Sequence, residues 1–423
     1  MDETHVVTCF LREGSDVLLL RRSDAVGSYS GLWGAVAGHA ESDPDALARE
    51  EIAEETGLLD GCAFVRRGDP VEVPDDALGV RWVVHPYLFD CDSRAVETND
   101  ESVAHEWVPP TEIRERETVP DLWRSYAAVA PTVERVAEDR THGAAYLSLR
   151  ALEVLRDRAA EGEAWADLAD LARDLRTARP SMPVVAARID RAMAGALDEA
   201  DGEAEPATVA EHAQTGIDRA LSADALAAEA VVATLSDLVE ADRAPRVLTC
   251  SRSGTVREAL AGADLDRVFV AESRPGGEGV GVAETLAEDV DVTLLPDAAV
   301  AQALADEGVD AVLVGADAVL SDGRVVNKVG TRAAALAAHE VGVPTYAVAA
   351  ADKVSPTTDA HLEKREREAV YGGDAPLSVY APTFDVTPAE RVTLVTEDGP
   401  QSVEDVRAQA AAARDRARWV ERA

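Results

Sequence analysis

The chain has 423 residues, of which 80 are Asp or Glu and 41 are Lys or Arg, so the formal net charge is -39. This balance argues against nucleic-acid binding through a broad basic face, because phosphate contacts need clustered cations. Hydrophobic residues make up 47% of the chain and run along its whole length, so we expect folded cores and not an acidic disordered protein.

The cations are unusual, because only Lys328, Lys353 and Lys364 are lysines and the remaining cations are arginines. An acidic, Arg-rich chain with 4% aromatic residues is typical of a halophilic protein, whose self-repulsion is screened by molar salt. The length predicts two or three domains, since single cores stop growing at roughly 250 to 300 residues. Neither a signal peptide nor a long apolar span is apparent, which predicts a soluble cytoplasmic protein without membrane contact.

The four cysteines show neither paired nor metal-ligand spacing, and this also fits a reducing cytosol. The four are Cys9, Cys62, Cys91 and Cys250.

Residues 1 to 135 predict a mixed β-sheet interrupted by one strong helix. From "HVVTCFLREGSDVLLLRR" to "VRWVVHPYLFDCD", short Val- and Leu-rich runs alternate with Gly, Asp and Ser. The segment "SDPDALAREEIAEETG" carries helix signals, with Ser42 or Asp43 as N-cap, Pro44 at the first helical position and Gly57 after the end. A second helix is predicted near "DLWRSYAAVAPTVERVAE", after which the strand signals stop.

Three glutamates of the strong helix fall on one face. Glu51, Glu54 and Glu55 stand at positions i, i+3 and i+4, within an arc of about 100°. Clustered carboxylates of this kind suit Mg²⁺ or Mn²⁺. The alternative is a solvated helix in a chain that is acidic throughout.

This region resembles the Nudix hydrolase family, whose motif ends in Arg-Glu-apolar-x-Glu-Glu-x-Gly-apolar. When Gly57 and Leu58 are aligned with its end, the three glutamates fall on the family's metal-binding carboxylates. The resemblance implies an α/β/α sandwich in which Glu51, Glu54 and Glu55 bind Mg²⁺ or Mn²⁺ and help to hydrolyse a nucleoside diphosphate-linked compound.

Two positions depart from the Nudix pattern. The best match to the motif's first glycine is Gly38, which lies two residues nearer the helix than the family's spacing. Glu50 stands where the family has arginine, and Arg49 precedes it. Because that arginine normally orients the glutamates, a site that binds nucleotides without hydrolysing them stays open as an alternative.

The rest of the chain predicts a helical subdomain over residues 141–240 and a doubly wound parallel sheet over 241–423. The first part shows helical periodicity, as in "AAYLSLRALEVLRDRAAE", and the second alternates apolar runs such as "RVLTC", "RVFVAES" and "AVLVGAD" with amphipathic segments. Ligands of doubly wound folds bind at the carboxyl ends of the strands, so residues at those ends are candidates.

Several strand-end residues suit a phosphorylated ligand. Ser251, Ser253 and Gly254 follow a strand and open a helix, where backbone N–H groups favour a phosphate. Arg274 offers a bidentate fork for a second anion. The alternative is that this arginine forms a surface ion pair in an acidic chain. Asp317 ends an apolar strand, where burial could raise its pKa and make it an acid catalyst.

This region resembles the translation initiation factor 2B α/β/δ family, which includes ribose-1,5-bisphosphate and methylthioribose-1-phosphate isomerases. The motifs are "ARPS", "TCSRSG", "ESRPGGEG", "GAD", "NKVGT" and "FDVTP", in that order. The resemblance implies a phosphosugar or nucleotide pocket, a homo-oligomer, and ligand-binding roles for Arg179, Asn327 and Lys328 besides the strand-end residues.

The isomerases of this family use a cysteine with the aspartate of "GAD". Here the alignment places Ser251 at the cysteine position and Cys250 where the enzymes have histidine. Either Cys250 moves the proton in a shifted register, or the pocket binds its ligand without turnover. The sequence favours hydrolysis in the first region and binding in the second, with a non-catalytic nucleotide sensor as the alternative.

Overall fold

The computed structural model describes residues 2–40, 43–238 and 243–422. The chain divides into two compact units, Met1–Thr132 and Val133–Ala423. Within the described residues, none of the helices has both the length and the apolar composition needed to cross a lipid bilayer.

In its described residues, the first unit contains one sheet and two α-helices. Its strands are β1 (Asp2–Glu13), β2 (Asp16–Arg22), β3 (Trp33–Gly34), β4 (Val36–His39), β5 (Cys62–Arg67), β6 (Val71–Asp75), β7 (Val80–Cys91) and β8 (Ser102–Val108). Its helices are α1 (Pro44–Thr56) and α2 (Leu122–Ala127).

The sheet of the first unit is mixed, as the sequence predicts. Strands β1 and β7 pair in parallel at its centre, while β2, β4, β5 and β6 add antiparallel to one or other of them. Helix α1 packs on one face through Ala48 and Ile52, and α2 packs on the other through Leu122 and Tyr126. The unit is therefore an α/β/α sandwich.

Helix α1 begins and ends where its capping residues indicate. Asp43 Oδ1 accepts a hydrogen bond from the Asp45 backbone N–H at 3.0 Å, and Pro44 is the first helical residue. Gly57 terminates the helix with φ 68° and donates to Ala53 O at 3.1 Å. Ser42, the other candidate N-cap, lies outside the described residues.

Although the cysteines show no paired spacing in the sequence, Cys62 and Cys91 form a disulfide. They are register partners on the antiparallel strands β5 and β7, so sheet pairing brings together two positions whose separation in sequence gave no signal. Cys9 and Cys250 are free and buried. The cysteine pattern therefore gives no support to a reducing compartment.

The helix predicted near residues 121–138 is two helices. Helix α2 ends at Ala127, and α3 begins at Val133, after Pro131 and within the second unit. Proline lacks a backbone donor and clashes with the preceding helical turn, which accounts for the break.

The second unit opens with a helical layer. Its helices are α3 (Val133–Glu138), α4 (Ala144–Ala160), α5 (Trp165–Ala178), α6 (Pro183–Asp198) and α7 (Pro206–Ser236). Leu152, Leu168, Ile189 and Ile217 belong to a single core that these helices share.

A parallel sheet follows the helical layer. Its strands are β9 (Arg246–Cys250), β10 (Arg267–Ala271), β11 (Val292–Leu295), β12 (Ala311–Gly315), β15 (Thr345–Val348), β17 (Thr393–Thr396) and β18 (Gly399–Gln401). The intervening helices are α8 (Gly254–Gly262), α9 (Glu278–Leu286), α10 (Val300–Asp306) and α11 (Thr331–Glu340), with α12 (Val403–Arg416) and α13 (Trp419–Arg422) at the end.

The spatial order of this sheet is β11-β10-β9-β12-β15-β17-β18, and all pairs except β17 with β18 are parallel. The chain order reverses between β9 and β12, which is the switch point of a doubly wound fold. A small antiparallel sheet of β13 (Ala318–Val319), β14 (Val325–Lys328) and β16 (Phe384–Thr387) lies after the end of β12.

Candidate functional sites

The first candidate site lies where helix α1 packs beside strand β4. Glu55 is only 5% exposed, and its Oε1 accepts a hydrogen bond from the Ala37 backbone N–H at 3.0 Å. A Cβ atom on Gly38 would lie 1.8 Å from Glu51 Oε1, so glycine is required for this carboxylate to sit against the strand. The glycine that departs from the Nudix spacing therefore packs directly against one of the glutamates.

Two of the three glutamates have strongly raised pKa values. Burial raises the pKa of Glu51 to about 7, and the charges of Glu101 and Glu54 add to the rise. Burial likewise raises the pKa of Glu55 to about 8, with only partial relief from its hydrogen bond with Ala37. The structure thus brings together carboxylates that are costly to ionise without a compensating cation.

Helix α1 borders a cleft of about 500 Å³ in the first unit. Glu51 and Glu54 line it together with Glu101, while Arg22 lines it from the end of strand β2. Arg22 lowers the pKa of Glu55 electrostatically, so a cation from a distant strand faces the helix whose motif arginine is replaced by Glu50. Sequence reasoning missed Glu101 and Arg22, since neither stands within the motif.

Another wall of the cleft is aromatic. The Trp82 indole N–H donates to the Tyr29 hydroxyl at 2.9 Å, and that hydroxyl donates to Asp75 Oδ2 at 2.6 Å. His39 also lines the cleft, with its ring 5.9 Å from that of Trp82. The hydrogen bonds fix the edge of the indole, so a planar group in the cleft would meet an oriented aromatic surface.

The donor chemistry of this cleft suits a hard divalent cation. Within residues 2–40, 43–238 and 243–422, however, no three His, Cys, Asp or Glu side chains are grouped closely enough to hold a metal ion. Burial nevertheless raises the pKa of the half-buried Glu51 and of the buried Glu55, and a bound cation would favour the ionised form of both carboxylates. The residues fit Mg²⁺ by charge and ligand type, although they do not form a closed cage.

The second candidate site lies beyond the carboxyl ends of β9 and β12. Asp317 follows β12 and is partly buried, and its backbone N–H donates to Val326 O at 2.9 Å. Burial raises the pKa of Asp317, while the charges of Lys353 and Lys328 act against this rise. The structure therefore gathers two of the three lysines of the chain around this carboxylate.

Lys328 and Asn327 end strand β14 and both have protein partners. Lys328 Nζ donates to Glu278 Oε1 at 2.7 Å. The Asn327 amide donates to Thr331 Oγ1 at 2.9 Å. Lys328 is therefore engaged by a carboxylate at the position where the sequence suggests a cation for a ligand.

Cys250, at the end of β9, is buried, and its Sγ lies 3.7 Å from Thr331 Oγ1. Burial raises the pKa of the Cys250 thiol to about 11, and the hydrogen bond with Thr331 offsets only part of the rise. At neutral pH the side chain is therefore a thiol and not a thiolate, and so a weak nucleophile and base.

The turn after β9 is held by side-chain contacts. Ser251 has a positive φ of 69°, and its backbone N–H donates to Ser273 Oγ at 2.7 Å. Ser253 Oγ caps α8 by accepting from the Val256 N–H at 3.4 Å. Gly254, the first residue of α8, is exposed.

The two candidate arginines differ in environment. Arg274 is 66% exposed, and its Nε donates to Glu272 Oε2 at 3.0 Å, so it forms the surface ion pair that the sequence left as an alternative. Arg179 is buried and donates to Glu363 Oε1 at 3.1 Å and to the Asp139 carbonyl.

Sequence reasoning missed three residues of the second site. Lys353 is 4% exposed beside Asp317, Glu278 binds Lys328, and Glu363 binds Arg179. Lys353 is one of only three lysines in the chain, and this scarcity is a sequence signal that could have found it. No such signal existed for the two glutamates in a chain with 80 acidic residues.

Two family models match the chain. The model described as the initiation factor 2 subunit family matches residues 140–401, and the NUDIX domain model matches residues 3–129. A methylthioribose-1-phosphate isomerase of Leishmania major is 34% identical over 177 residues, which are 37% of this chain and 47% of that protein. The chain thus spans about half the length of this curated relative.

Two solved structures from Pyrococcus horikoshii OT3 share the fold. Translation initiation factor eIF-2B has a TM-score of 0.53 at 24% identity and covers 63% of this chain and 94% of its own. A 5-methylthioribose 1-phosphate isomerase has a TM-score of 0.52 at 23% identity and covers 67% of this chain and 88% of its own. At these identities the likeness supports the fold alone.

Proposed function

Because the chain belongs to the initiation factor 2 subunit family and carries a NUDIX domain, we propose that it joins a hydrolase to a ligand-binding domain. The first unit hydrolyses a nucleoside diphosphate-linked compound with Mg²⁺ or Mn²⁺. The second binds a phosphorylated pentose or a nucleotide.

The observation that carries the hydrolase proposal is the pair Glu51 and Glu55. Their pKa values, raised to about 7 and about 8 mainly by burial, leave carboxylates that either take up a proton or bind a cation at neutral pH. Perturbed carboxylates in a cleft are a common feature of catalytic sites.

In this proposal Glu51, Glu54 and Glu55 hold the divalent cation and orient the attacking water. The metal would neutralise the diphosphate and lower the pKa of that water. The Trp82 and Tyr29 wall receives the nucleobase, since aromatic faces accept planar rings by stacking. Arg22 supplies the positive charge that the altered motif lacks.

A substrate screen tests this assignment. Nucleoside diphosphate compounds are incubated with Mg²⁺ in high salt, and phosphate-bearing products are measured for wild type, Trp82→Ala and Trp82→Phe. We expect hydrolysis by the wild type, a raised KM in Trp82→Ala and recovery of binding in Trp82→Phe. Absence of turnover with every compound would instead favour a non-catalytic nucleotide sensor.

Binding by the second unit is supported by the cations around Asp317. Lys328, Lys353 and Arg179 all influence the pKa of this carboxyl and hence lie around one position at the switch point of the sheet. The neighbouring strand β9 is followed by Ser251, Ser253 and Gly254, which lead into helix α8. Calorimetry with pentose phosphates and nucleotides in high salt tests binding, and no heat from any ligand would refute it.

Isomerisation of a sugar phosphate is a second candidate function for this unit. A curated relative is named as a methylthioribose-1-phosphate isomerase, and burial raises the pKa of Asp317, as suits an acid catalyst. Turnover of ribose 1,5-bisphosphate and methylthioribose 1-phosphate is measured for wild type, Asp317→Asn and Cys250→Ser. Loss in Cys250→Ser would assign proton transfer to the thiol, whereas loss only in Asp317→Asn would assign it to the carboxyl.

We also propose that the second unit forms a homo-oligomer. Large apolar side chains are exposed on one long segment, at Leu362, Val370, Leu377 and Tyr380, the last being 84% exposed. Light scattering after size exclusion in high salt measures the mass, and a value of one chain, 44.7 kDa, would refute the proposal.

A further inference from the structure

At the second site, the carboxylate of Glu278 binds two cationic side chains, Lys328 and Arg365. Glu278 Oε1 accepts a hydrogen bond from Lys328 Nζ at 2.7 Å and a further one from the Arg365 guanidinium. Glu278 opens helix α9, Lys328 ends strand β14 and Arg365 lies on the segment before β16, so three distant parts of the chain meet there. The positive charge at the end of β14 is thus partly neutralised from within the protein.

The Glu278 side chain is seated in a defined position. A Cβ atom on Gly276 would lie 2.4 Å from both carboxylate oxygens of Glu278, so this carboxylate folds back over Gly276. Its Oε2 atom is buried and has no hydrogen-bond partner in the part of the chain that the structure describes. Glu278 Oε1 therefore binds both cations, whereas Glu278 Oε2 can still accept a hydrogen bond.

The carboxylate stays charged at neutral pH. Burial acts to raise the pKa of Glu278, but the hydrogen bond from Lys328 and the charges of Lys328 and Arg365 outweigh it, and the pKa is lowered. A carboxylate against a lysine and an arginine presents the oxygen chemistry that a phosphate group would present to the same cations.

We propose that Glu278 holds the place of a ligand phosphate on Lys328 and Arg365, and that a phosphorylated ligand binds by displacing it. The inference rests on the proposed function, because it concerns the same ligand-binding site. It assigns Glu278 the role of an internal competitor that weakens the binding of anions.

The displacement has a consequence for ligand choice. Lys328 lies near enough to Asp317 to lower its pKa, so freeing Lys328 from Glu278 changes the charge around that carboxyl. A neutral sugar gains nothing from the freed cations, whereas a phosphorylated sugar replaces the contact that it breaks. The site therefore selects for ligands whose anion reaches Lys328 and Arg365 together.

The test compares Glu278→Gln with two matched variants. Glu278→Asp keeps the charge on a shorter side chain, and Glu284→Gln removes one charge from an exposed position on the same helix. Binding of inorganic phosphate and ribose 5-phosphate is measured by calorimetry in high KCl. We expect Glu278→Gln to bind ribose 5-phosphate about tenfold more tightly than wild type, because the ligand no longer competes with a charged hydrogen-bond acceptor. Glu284→Gln should bind it with the affinity of the wild type.

The outcomes separate this inference from the proposed function. If wild type binds ribose 5-phosphate and Glu278→Gln binds it no more tightly, the inference is overturned and the binding function stands. If neither protein binds any phosphate ligand, both fail. Tightening in Glu284→Gln of the same size would assign the effect to overall charge and would also overturn the inference.

A measurement on the wild type covers the case in which Glu278→Gln does not fold. Sulfate, which does not titrate near pH 5, serves as the anion. When Glu278 is displaced from its two cations, its pKa should rise, because those cations lower it in the folded protein. Sulfate binding at pH 5 should therefore be coupled to uptake of a proton. The uptake is measured as a dependence of the binding heat on the ionisation enthalpy of the buffer. Binding without proton uptake would overturn the displacement.

Discussion

At the residue scale, Glu55 combines a structural cost with a chemical use. A carboxylate that is 5% exposed, with its pKa raised to about 8 mainly by burial, lowers stability when ionised. The hydrogen bond from the Ala37 N–H orients this carboxylate toward strand β4 but does not compensate its charge. The arrangement is understandable if a cation completes the site.

The substitution Glu55→Gln tests this view. Glutamine keeps an oxygen for the Ala37 N–H but binds a divalent cation poorly, so we expect Mg²⁺-dependent hydrolysis to fall by about a hundredfold or more while the melting temperature is kept or rises. Product release and thermal melts are measured together. Equal activity in wild type and Glu55→Gln would contradict the metal role.

The pH dependence of stability follows from the same groups. The pKa of Glu55 rises from an ordinary 4.5 to about 8 on folding, so between these values the folded protein holds a proton that the unfolded chain has lost. In the absence of metal, the free energy of unfolding should therefore fall as pH rises from about 4.5 to 8.

Denaturant titrations in chelator at several pH values measure this slope, and Glu55→Gln provides the control in which it should be smaller. Adding Mg²⁺ should restore stability most at the high end of the range, because the cation replaces the proton. A slope that is identical in wild type and Glu55→Gln would exclude Glu55 as its source.

At the scale of elements, the contact between α1 and β4 depends on Gly38. A methyl group at Gly38 would lie 1.8 Å from Glu51 Oε1, so Gly38→Ala should push this carboxylate away from the strand. We expect Mg²⁺ affinity to fall about tenfold with a small change in stability, because Glu51 is only half-buried and its side chain can move.

Gly27→Ala is the matched control. Gly27 lines the same cleft, and a methyl group there meets no atom within 4 Å. Metal titrations on both variants decide the question. A loss of affinity in Gly27→Ala as large as that in Gly38→Ala would mean that any added methyl group in the cleft disturbs the site.

The local part of this site could be predicted from the sequence. The caps at Asp43 and Gly57 and the spacing of the glutamates are local signals, and the helix has the expected bounds. Glu101, Arg22 and Trp82 could not be found this way, because strand pairing and chain reversal bring them to the cleft. The Cys62–Cys91 disulfide escaped prediction for the same reason.

The second site shows the same limit. Alternating strands and helices predict the doubly wound sheet, and hence that Cys250 and Asp317 lie at one edge of it. The sequence does not tell which cation is already paired. Lys328 was expected to be available for a ligand, and only the fold reveals that Glu278, at the start of helix α9, binds it.

At the scale of the whole molecule, charge is the dominant property. A formal net charge of -39 makes the folded chain repel itself, and local ion pairs such as Arg243 with Asp310 offset only part of this. Salt shortens the range of the repulsion, from a Debye length of about 10 Å at 0.1 M to about 3 Å at 1 M. We therefore propose that the protein is halophilic.

The corresponding prediction is a loss of structure on dilution of salt. Circular dichroism and melting temperature are followed from molar KCl to dilute buffer, and we expect the melting temperature to fall steadily and the helical signal to decrease at the lowest salt.

If repulsion is the cause, lowering the pH toward 5 in dilute buffer should recover part of the signal, because protonation removes carboxylate charge. An uncharged osmolyte at equal osmolarity should restore less structure than KCl does, since it does not screen charge. Full retention of the spectrum in dilute buffer would show that the folded contacts outweigh the repulsion of 80 acidic residues without screening, and that the acidic composition has another cause.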